Sequence, residues 1–521
     1  MISNGLFIVF SAVLLYGLQK YMELRRGVKS IGDHPGYRTF FSGSSTAGNF
    51  LPSISGISPG RNHLMKRKYE DHRRFGWDAY SAVSVWPRLR VGYRLAGAAT
   101  IKEVVSSRAR FPKPVKQYGV LTFFGKNIVA SEGDEWKRYR KITAPSFSER
   151  NNKLVWDETC RIMMDMFENV WRWKDEIAVD HCVDITLPIA LFVIGVAGFG
   201  RRISWNDDLK LPPGHRMTFK DALHIVSSDV FIKLVVPKWA MGWTQRFRNV
   251  QIAFEELRLY MLEMIRSRRN SEKKEERYDL FSSLLDASED TSDGEAKLAD
   301  EELLGNIFIF LVAGHETTAH TLCYTFGLLA LYQDQQEILY QHIKSIIPDG
   351  RMPTYEEMNL FTHSMAVFYE TLRLYPPVTG IPKQCAEDTT LTVSNLAGEK
   401  KVIPVPQGTD IVIDTPALHY NPRYWDEPNE FKPARFLDKD WPRDAFLPFS
   451  AGARACIGRR FFETEGIAIL TMLISKYKIE VKEEPQFAAE SFEQRRERLL
   501  ANRPGLTLTP IRVPLVFKKR V

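Results

Sequence analysis

Phe449-Ser450-Ala451-Gly452-Ala453-Arg454-Ala455-Cys456-Ile457-Gly458 sets a single cysteine in a glycine-rich loop, with an arginine two residues before it and an apolar segment after it. A thiolate that serves as a metal ligand needs a lowered pKa, donors to its sulfur and shelter from oxidation. A helix starting at Cys456 is expected here, because its first turn offers free N–H groups and the positive end of the helix dipole. Gly452 and Gly458 carry no side chain that would hold a flat macrocycle off the backbone. Arg454 can give a carboxylate of such a macrocycle a charge-assisted, bidentate bond. The competing reading is a buried structural cysteine beside a turn.

Four further segments bear on that choice. In Ala313-Gly314-His315-Glu316-Thr317-Thr318 an acid and two hydroxyls interrupt the run Phe308-Ile309-Phe310-Leu311-Val312, which reads as a buried helix capped at Asp300. Such a break in a local rule marks functional sites. Ala313 and Gly314 leave room beside the helix, and Thr317 can bond the carbonyl four residues back or a water. Glu316 and Thr317 then make a proton-delivery pair. His315 and His320 evoke a zinc motif, but five residues place them about 140° apart on a helix, so a zinc site is rejected. Glu370 and Arg373 share one helix face and can pair, with Pro376-Pro377 and Pro433-Ala434-Arg435-Phe436 downstream. Trp136 and Arg140, four apart, also share a face. Val235 to Trp243 is a loop with two tryptophans between helical runs, suited to a membrane interface and equally to core packing.

These stretches, in this order, resemble the cytochrome P-450 family of haem-thiolate monooxygenases over about residues 63–521. The resemblance implies a mainly α fold with small β-sheets, holding haem between a long distal helix and a proximal cysteine loop. It implies haem b with Cys456 as axial thiolate, Arg454, Trp136 and Arg140 at propionates, and Phe449, Gly452, Gly458, Ala313 and Gly314 against the macrocycle. Glu316 and Thr317 are implied as the proton relay, and Glu370, Arg373 and Arg435 as a buried network supporting the haem loop. Phe308, Phe310, Leu311 and Ala313, with 111–128, 378–381 (Val378 and Thr379 among them) and 506–509 (Leu508 among them), are implied as pocket walls. O2 and NADPH are the implied co-substrates, with a cytochrome P-450 reductase and cytochrome b5 as electron-transfer partners. Two places depart from the family. After the Pro-Pro pair, where many members have a propionate-binding arginine, stand Gly380 and then Lys383. The stretch Glu483 to Gly505 is longer and more charged than the usual C-terminal hairpin.

Composition agrees. The chain has 521 residues, 44% of them apolar and 12% aromatic, with a net charge of +8. Five scattered cysteines make neither a disulfide framework nor a zinc spacing. The basic residues are dispersed and no nucleic-acid motif occurs, so a membrane surface and an acidic redox partner are the expected counterparts of the charge. No dinucleotide- or flavin-binding glycine motif is present, so electrons must come from another protein. Met1 to Gln19 carries no charge and as a helix spans about 28 Å, near a bilayer core of about 30 Å. Lys20, Arg25, Arg26 and Lys29 follow, which points to a single-pass anchor with a cytosolic body on the endoplasmic reticulum. A cleaved signal would want a basic start and a small-residue cleavage site. The expected organisation is an anchor over 1–22, a linker over 23–62 and a catalytic domain over 63–521. Within the last, 81–93 reads as two strands, and 133–148, 151–173, 216–232, 246–270, 300–331 and 355–375 read as helices. The acidic run Ser288 to Glu295 reads as a solvated loop. A lipophilic substrate (terpenoid, sterol, fatty acid or aromatic metabolite) of secondary metabolism follows from anchor and lining. The alternatives are a haem-thiolate isomerase or dehydratase needing no external electrons, and a haem sensor or electron carrier.

Overall fold

Residues 81–93 alternate because they lie in two strands, Ala79–Trp86 and Arg90–Leu95, paired antiparallel with Tyr80 opposite Arg94 and Val83 opposite Val91. The structure is a computed structural model that describes residues 2–43, 45, 48, 50–200, 205, 211–270, 279–289 and 297–520. The chain divides into two units. The first comprises Met1–Pro114, Val378–Glu430 and Pro442–Ala455. Its sheet runs Gly36–Phe41, Ala79–Trp86, Arg90–Leu95, Asp410–Asp414, Gly380–Gln384, and Thr389–Ser394 forms a separate hairpin with Lys400–Val405. Gly36–Phe41 falls inside the stretch expected to be linker and pairs parallel with Ala79–Trp86, so that stretch is partly built into the unit.

Helix α1 (Ile2–Ser30) continues unbroken beyond the apolar run. Its last turns lie on the sheet: Val28 and Ile31 are buried, and a Cβ on Gly27 would come within 2.8 Å of Leu89. Upstream, Phe7, Phe10, Leu14 and Leu18 are fully or half exposed. Helix α2 (Ala98–Ser106) backs the loop that precedes Cys456. Gly452 has φ 68°, and a Cβ there would sit 2.5 Å from the Val105 carbonyl oxygen, so only glycine fits.

The second unit comprises Val115–Pro377, Phe431–Trp441 and Cys456–Val521. Its helices are α3 (Gly133–Thr143), α4 (Glu149–Asp165), α5 (Val183–Ala197), α6 (Phe219–Val235), α7 (Gln245–Arg269), α8 (Leu280–Glu289), α9 (Asp300–Leu331), α10 (Gln333–Ile346), α11 (Thr362–Leu374), α12 (Arg459–Lys476) and α13 (Phe492–Leu499). Ser148, Thr218 and Thr244 each cap a helix by accepting from the N–H three residues on. The predicted run 355–375 breaks at Phe361 into a 3₁₀ turn and α11, and 133–148 and 151–173 end earlier than expected. Asp300 is the first helical residue of α9 and not its cap. The Glu302 carboxylate instead reaches back to the Ala299 N–H at 2.9 Å. Of the acidic run, Ser288 and Glu289 end α8, and 290–295 lie outside the described residues.

Helix α9 forms the centre of this unit, packed on α5 and α11. Gly305 lets the backbone of 125–126 lie directly on it, since a Cβ there would meet the Lys126 carbonyl oxygen at 2.3 Å. Asn306 fixes the same loop by accepting from the Ile128 N–H at 3.0 Å. Two small antiparallel sheets close the chain: Glu176–Val179, Leu515–Lys519 and Tyr477–Val481, and the hairpin Asn502–Pro504 with Leu508–Pro510.

Candidate functional site

Cys456 stands three residues ahead of α12, not at its first residue as expected. The intervening turn aims the Gly458 N–H at its sulfur. The side chain has open surface, yet protein packs densely around it, and burial pushes the thiol up. The Gly458 N–H and the charges of Arg140 and Arg459 act in the opposite direction. Metal coordination would complete that shift, since a coordinating thiol is deprotonated outright. The other four cysteines are buried.

From Leu303 to Ala330, helix α9 is buried at every position except three: Ala313, Gly314 and Thr317. These lie at i, i+1 and i+4, so the opening is confined to one face. The Thr317 hydroxyl points along the helix and donates to the Ala313 carbonyl at 2.7 Å. Glu316 turns inward and is 4% exposed. Burial raises its carboxyl from the ordinary 4.5 to about 7, opposed by a hydrogen bond from Thr507 and by the charge of Arg503. Its Oε2 atom has no hydrogen-bond partner. The acid and the alcohol are adjacent in sequence and not bonded to each other. The Nδ1 atom of His315 bonds the Leu311 carbonyl at 2.8 Å, and among the described residues no metal-binding cluster occurs.

On α3, Trp136 is buried and Arg140 half-buried, close enough to Cys456 to interact with it electrostatically. Their basic neighbours Arg138 and Lys137, and Arg459 after the cysteine, have acidic partners. Arg138 is bonded to Glu302 and to the Lys297 carbonyl, Lys137 pairs with Asp134, and Arg459 is held by Glu463 and Tyr369. Arg460 is half-buried and lines a cleft of about 600 Å³ with Glu149, Arg150, Lys153, Tyr355, Glu356 and Asn359.

Glu370, Arg373 and Arg435 come together as expected. Arg373 Nε donates to Glu370 at 2.7 Å and Arg435 Nε at 3.1 Å, with Glu370 and Arg373 fully buried. The Lys432 N–H adds a further bond to Glu370 at 2.9 Å. Tyr369, one residue before Glu370, donates to Glu463 of α12 at 2.5 Å, which ties α11 to the helix that follows the cysteine.

The pocket residues fare differently. Phe308 is fully buried in an aromatic cluster, 4.6 Å between ring centroids from Phe124, which in turn stacks on Phe254. Phe310 lies against Phe147 at 6.0 Å, and Leu311 is buried. The open surface of α9 therefore belongs to Ala313, Gly314 and Thr317 and not to these larger residues. Leu508 is buried, its N–H bonded to the Pro377 carbonyl. Val378 is exposed and Thr379 half-buried in the other unit, where Phe449 is buried, Arg454 half-buried and Lys383 buried.

The sequence assigned no role beside Glu316 to Thr507, expected only as part of a pocket wall, to His320, or to Arg503, and did not point to Glu465. Thr507 and Arg503 act on Glu316 from a hairpin almost 200 residues downstream. Glu465, on α12, is fully buried and accepts from Thr318 at 3.2 Å. Burial holds it well above the usual carboxylate range.

A haem suits these residues on two observations: an exposed sulfur that receives a backbone N–H, and one small-residue face opened on an otherwise buried helix.

Comparison with known proteins agrees with the geometry. The sequence profile described as Cytochrome P450 matches residues 71–506. Cytochrome P450 monooxygenase 124 of Postia placenta is 56% identical over 99% of this chain and 100% of its own length. Cytochrome P450 monooxygenase ORF6 of Penicillium roqueforti is 33% identical, covering 80% of this chain and 78% of its own. The crystal structure of the cytochrome P450DA heme domain superposes with a TM-score of 0.71 at 21% identity, covering 88% of this chain and 93% of that one.

Proposed function

The chain belongs to the cytochrome P450 family, and from that premise we propose a membrane-anchored monooxygenase that inserts one oxygen atom of O2 into a C–H bond of a lipophilic small molecule. The observation that carries this reading is the open Ala313–Gly314–Thr317 face on a helix buried everywhere else between Leu303 and Ala330. It gives a small diatomic and an apolar substrate access beside an acid and an alcohol, which a carrier or sensor does not need.

When bound, haem supplies the iron that activates oxygen, with a thiolate ligand that favours O–O cleavage. Cys456 provides the sulfur, and the Gly458 N–H and Arg140 stabilise its negative charge. Arg454, Trp136 and Arg140 are the residues that would hold propionates. Glu316 is half-protonated near pH 7, so it can give up or take a proton at physiological pH. Thr317 exposes the hydroxyl through which that proton would reach the open face, once it lets go of the Ala313 carbonyl. The Phe124–Phe308–Phe254 cluster closes the site to water from the 122–128 loop.

Electrons from NADPH arrive through a separate reductase, with cytochrome b5 as a second donor. In the cleft beside α12, where Lys153 pairs with Glu356, Arg150 and Arg460 offer positive charge to an acidic partner. Reversing these charges is expected to slow reduction and flatten its salt dependence, leaving the absorption spectrum unchanged. The anchor is the exposed part of α1, and Trp239 and Trp243, 71% and 68% exposed on the loop after α6, give a further lipid contact. The endoplasmic reticulum, and a terpenoid, sterol, fatty acid or aromatic substrate of secondary metabolism, fit this arrangement.

The test is the reduced carbon monoxide difference spectrum of the wild type beside Cys456→Ser. A red-shifted Soret band of thiolate-ligated haem, lost in the serine variant, is the expected outcome. A neutral-ligand band in the wild type, or no haem, would overturn the reading.

A further inference from the structure

The acid Glu316 has a polar neighbour one turn along α9, where His320 meets Thr507. The Thr507 hydroxyl lies 2.8 Å from Nδ1 of His320, one turn further along the same helix, and near enough to the Glu316 carboxyl to favour its ionised form. All three side chains are buried, with Glu316 and His320 4% and Thr507 7% exposed. Thr507 sits in the turn between Asn502–Pro504 and Leu508–Pro510, where the Gly505 N–H bonds its carbonyl at 3.1 Å. The long charged stretch before that hairpin holds it in place. Arg495 and Arg498 of α13 pair with Glu483 and Glu490, Arg512 pairs with Glu484, and Leu499 and Leu500 are buried.

We propose that Thr507 and His320 are positioning residues of Glu316, forming a second polar branch by which its carboxyl exchanges protons with water on the α6 side of α9. This rests on the assignment of Glu316 as the catalytic acid. In the transfer, Thr507 O–H donates to the Glu316 carboxylate as His320 Nδ1–H donates to the Thr507 oxygen. The His320 Nε2 atom takes a proton from water at the same time. One proton moves from water to Glu316, and the imidazole stays neutral throughout, having changed tautomer. A neutral ring is what the surroundings enforce: burial, with His315 on α9, His224 on α6, His181 before α5 and Arg503 on the hairpin, depresses His320 to about 3. The water of this branch is drawn from the side where His224 has open surface. A hydroxyl between acid and imidazole passes protons in a way that a methyl group cannot.

The test follows the Glu316 carboxylic acid band of the holoenzyme by infrared spectroscopy after rapid mixing into D2O, using Glu316→Gln to identify the band. Exchange is expected to slow about tenfold or more in Thr507→Val and in His320→Phe, and to return to the wild-type rate in Thr507→Ser. The carbon monoxide spectrum should stay unchanged in all of them. Wild-type exchange rates in Thr507→Val or His320→Phe overturn the branch while leaving the monooxygenase reading intact. A wild type without the thiolate Soret band overturns that reading instead. If Thr507→Val does not fold, His320→Phe, which leaves the hairpin sequence untouched, decides.

Discussion

Glu316 and Thr317 are neighbours whose surroundings divide their work. Thr317 lies on the open face of α9 with its hydroxyl parked on the Ala313 carbonyl, and Glu316 is driven inward, where burial favours its neutral form. Thr317→Ala removes the hydroxyl without filling the opening. The expected outcome is NADPH consumption that continues while hydrogen peroxide replaces product, measured by peroxide release per NADPH. The burial of Glu316 has a thermodynamic counterpart. Its folded value near 7 exceeds its ordinary 4.5, so ionising it costs stability. No cost exists while both states are protonated, below about pH 4. The cost grows between the two values and levels off above pH 7, at about 3 kcal/mol. Glu316→Gln cannot ionise, so its urea midpoint is expected to rise relative to the wild type across that window. A difference that does not vary with pH would mean that Glu316 is solvated in the folded protein.

Elements hold these side chains by contacts at their ends. The Glu370 carboxylate accepts from Arg373, Arg435 and the Lys432 N–H, and so joins α11 to the 3₁₀ turn Pro433–Phe436. Both partners of the innermost pair are fully buried, so removing one leaves a charge without water or counter-ion. Glu370→Ala is expected to cost about 3–5 kcal/mol, seen as a lower denaturation midpoint together with loss of haem on purification. Leu in place of both Glu370 and Arg373 should recover part of that stability, because the fully buried Arg373 charge is then removed with its partner. The N-terminus of α9 is fixed differently. Glu302 accepts from Arg138, from the Tyr139 hydroxyl at 2.6 Å and from the Ala299 N–H, so it joins α3 to the start of the distal helix. That arrangement takes Arg138 out of any docking surface.

For the molecule, two exposed apolar features call for lipid. The outward part of α1 carries Phe7, Phe10, Val13 and Leu14, and the loop after α6 carries Trp239 and Trp243 in edge contact at 4.9 Å. Deleting residues 2–22 is expected to move most of the protein from the membrane pellet to the supernatant. The remaining membrane-bound fraction should fall further with Trp239→Ser and Trp243→Ser. If the deletion leaves all of the protein in the pellet, α1 is not its principal anchor. Helix α1 also ends on the sheet of the first unit through Gly27, so the deletion stops short of residues 27–31 to leave that packing intact.

Residue chemistry and local period were enough to identify the family, the long helix over 300–331 and the Glu370–Arg373 pair, and to single out Cys456. Each of these rests on residue types at short spacings, and a helix with an apolar period forms wherever the chain places it. The sequence could not show which residues of α9 would be left uncovered. Phe308, Phe310 and Leu311 are large, apolar and near Thr317, yet Phe124 and Phe147, well over 100 residues upstream, cover the two phenylalanines. In the same way Arg138 looks like a surface charge until Glu302 arrives from α9, and Thr507 looks like a loop residue until the hairpin folds against His320. A side chain's exposure, partners and ionisation depend on segments distant in sequence, so only the tertiary structure decides them.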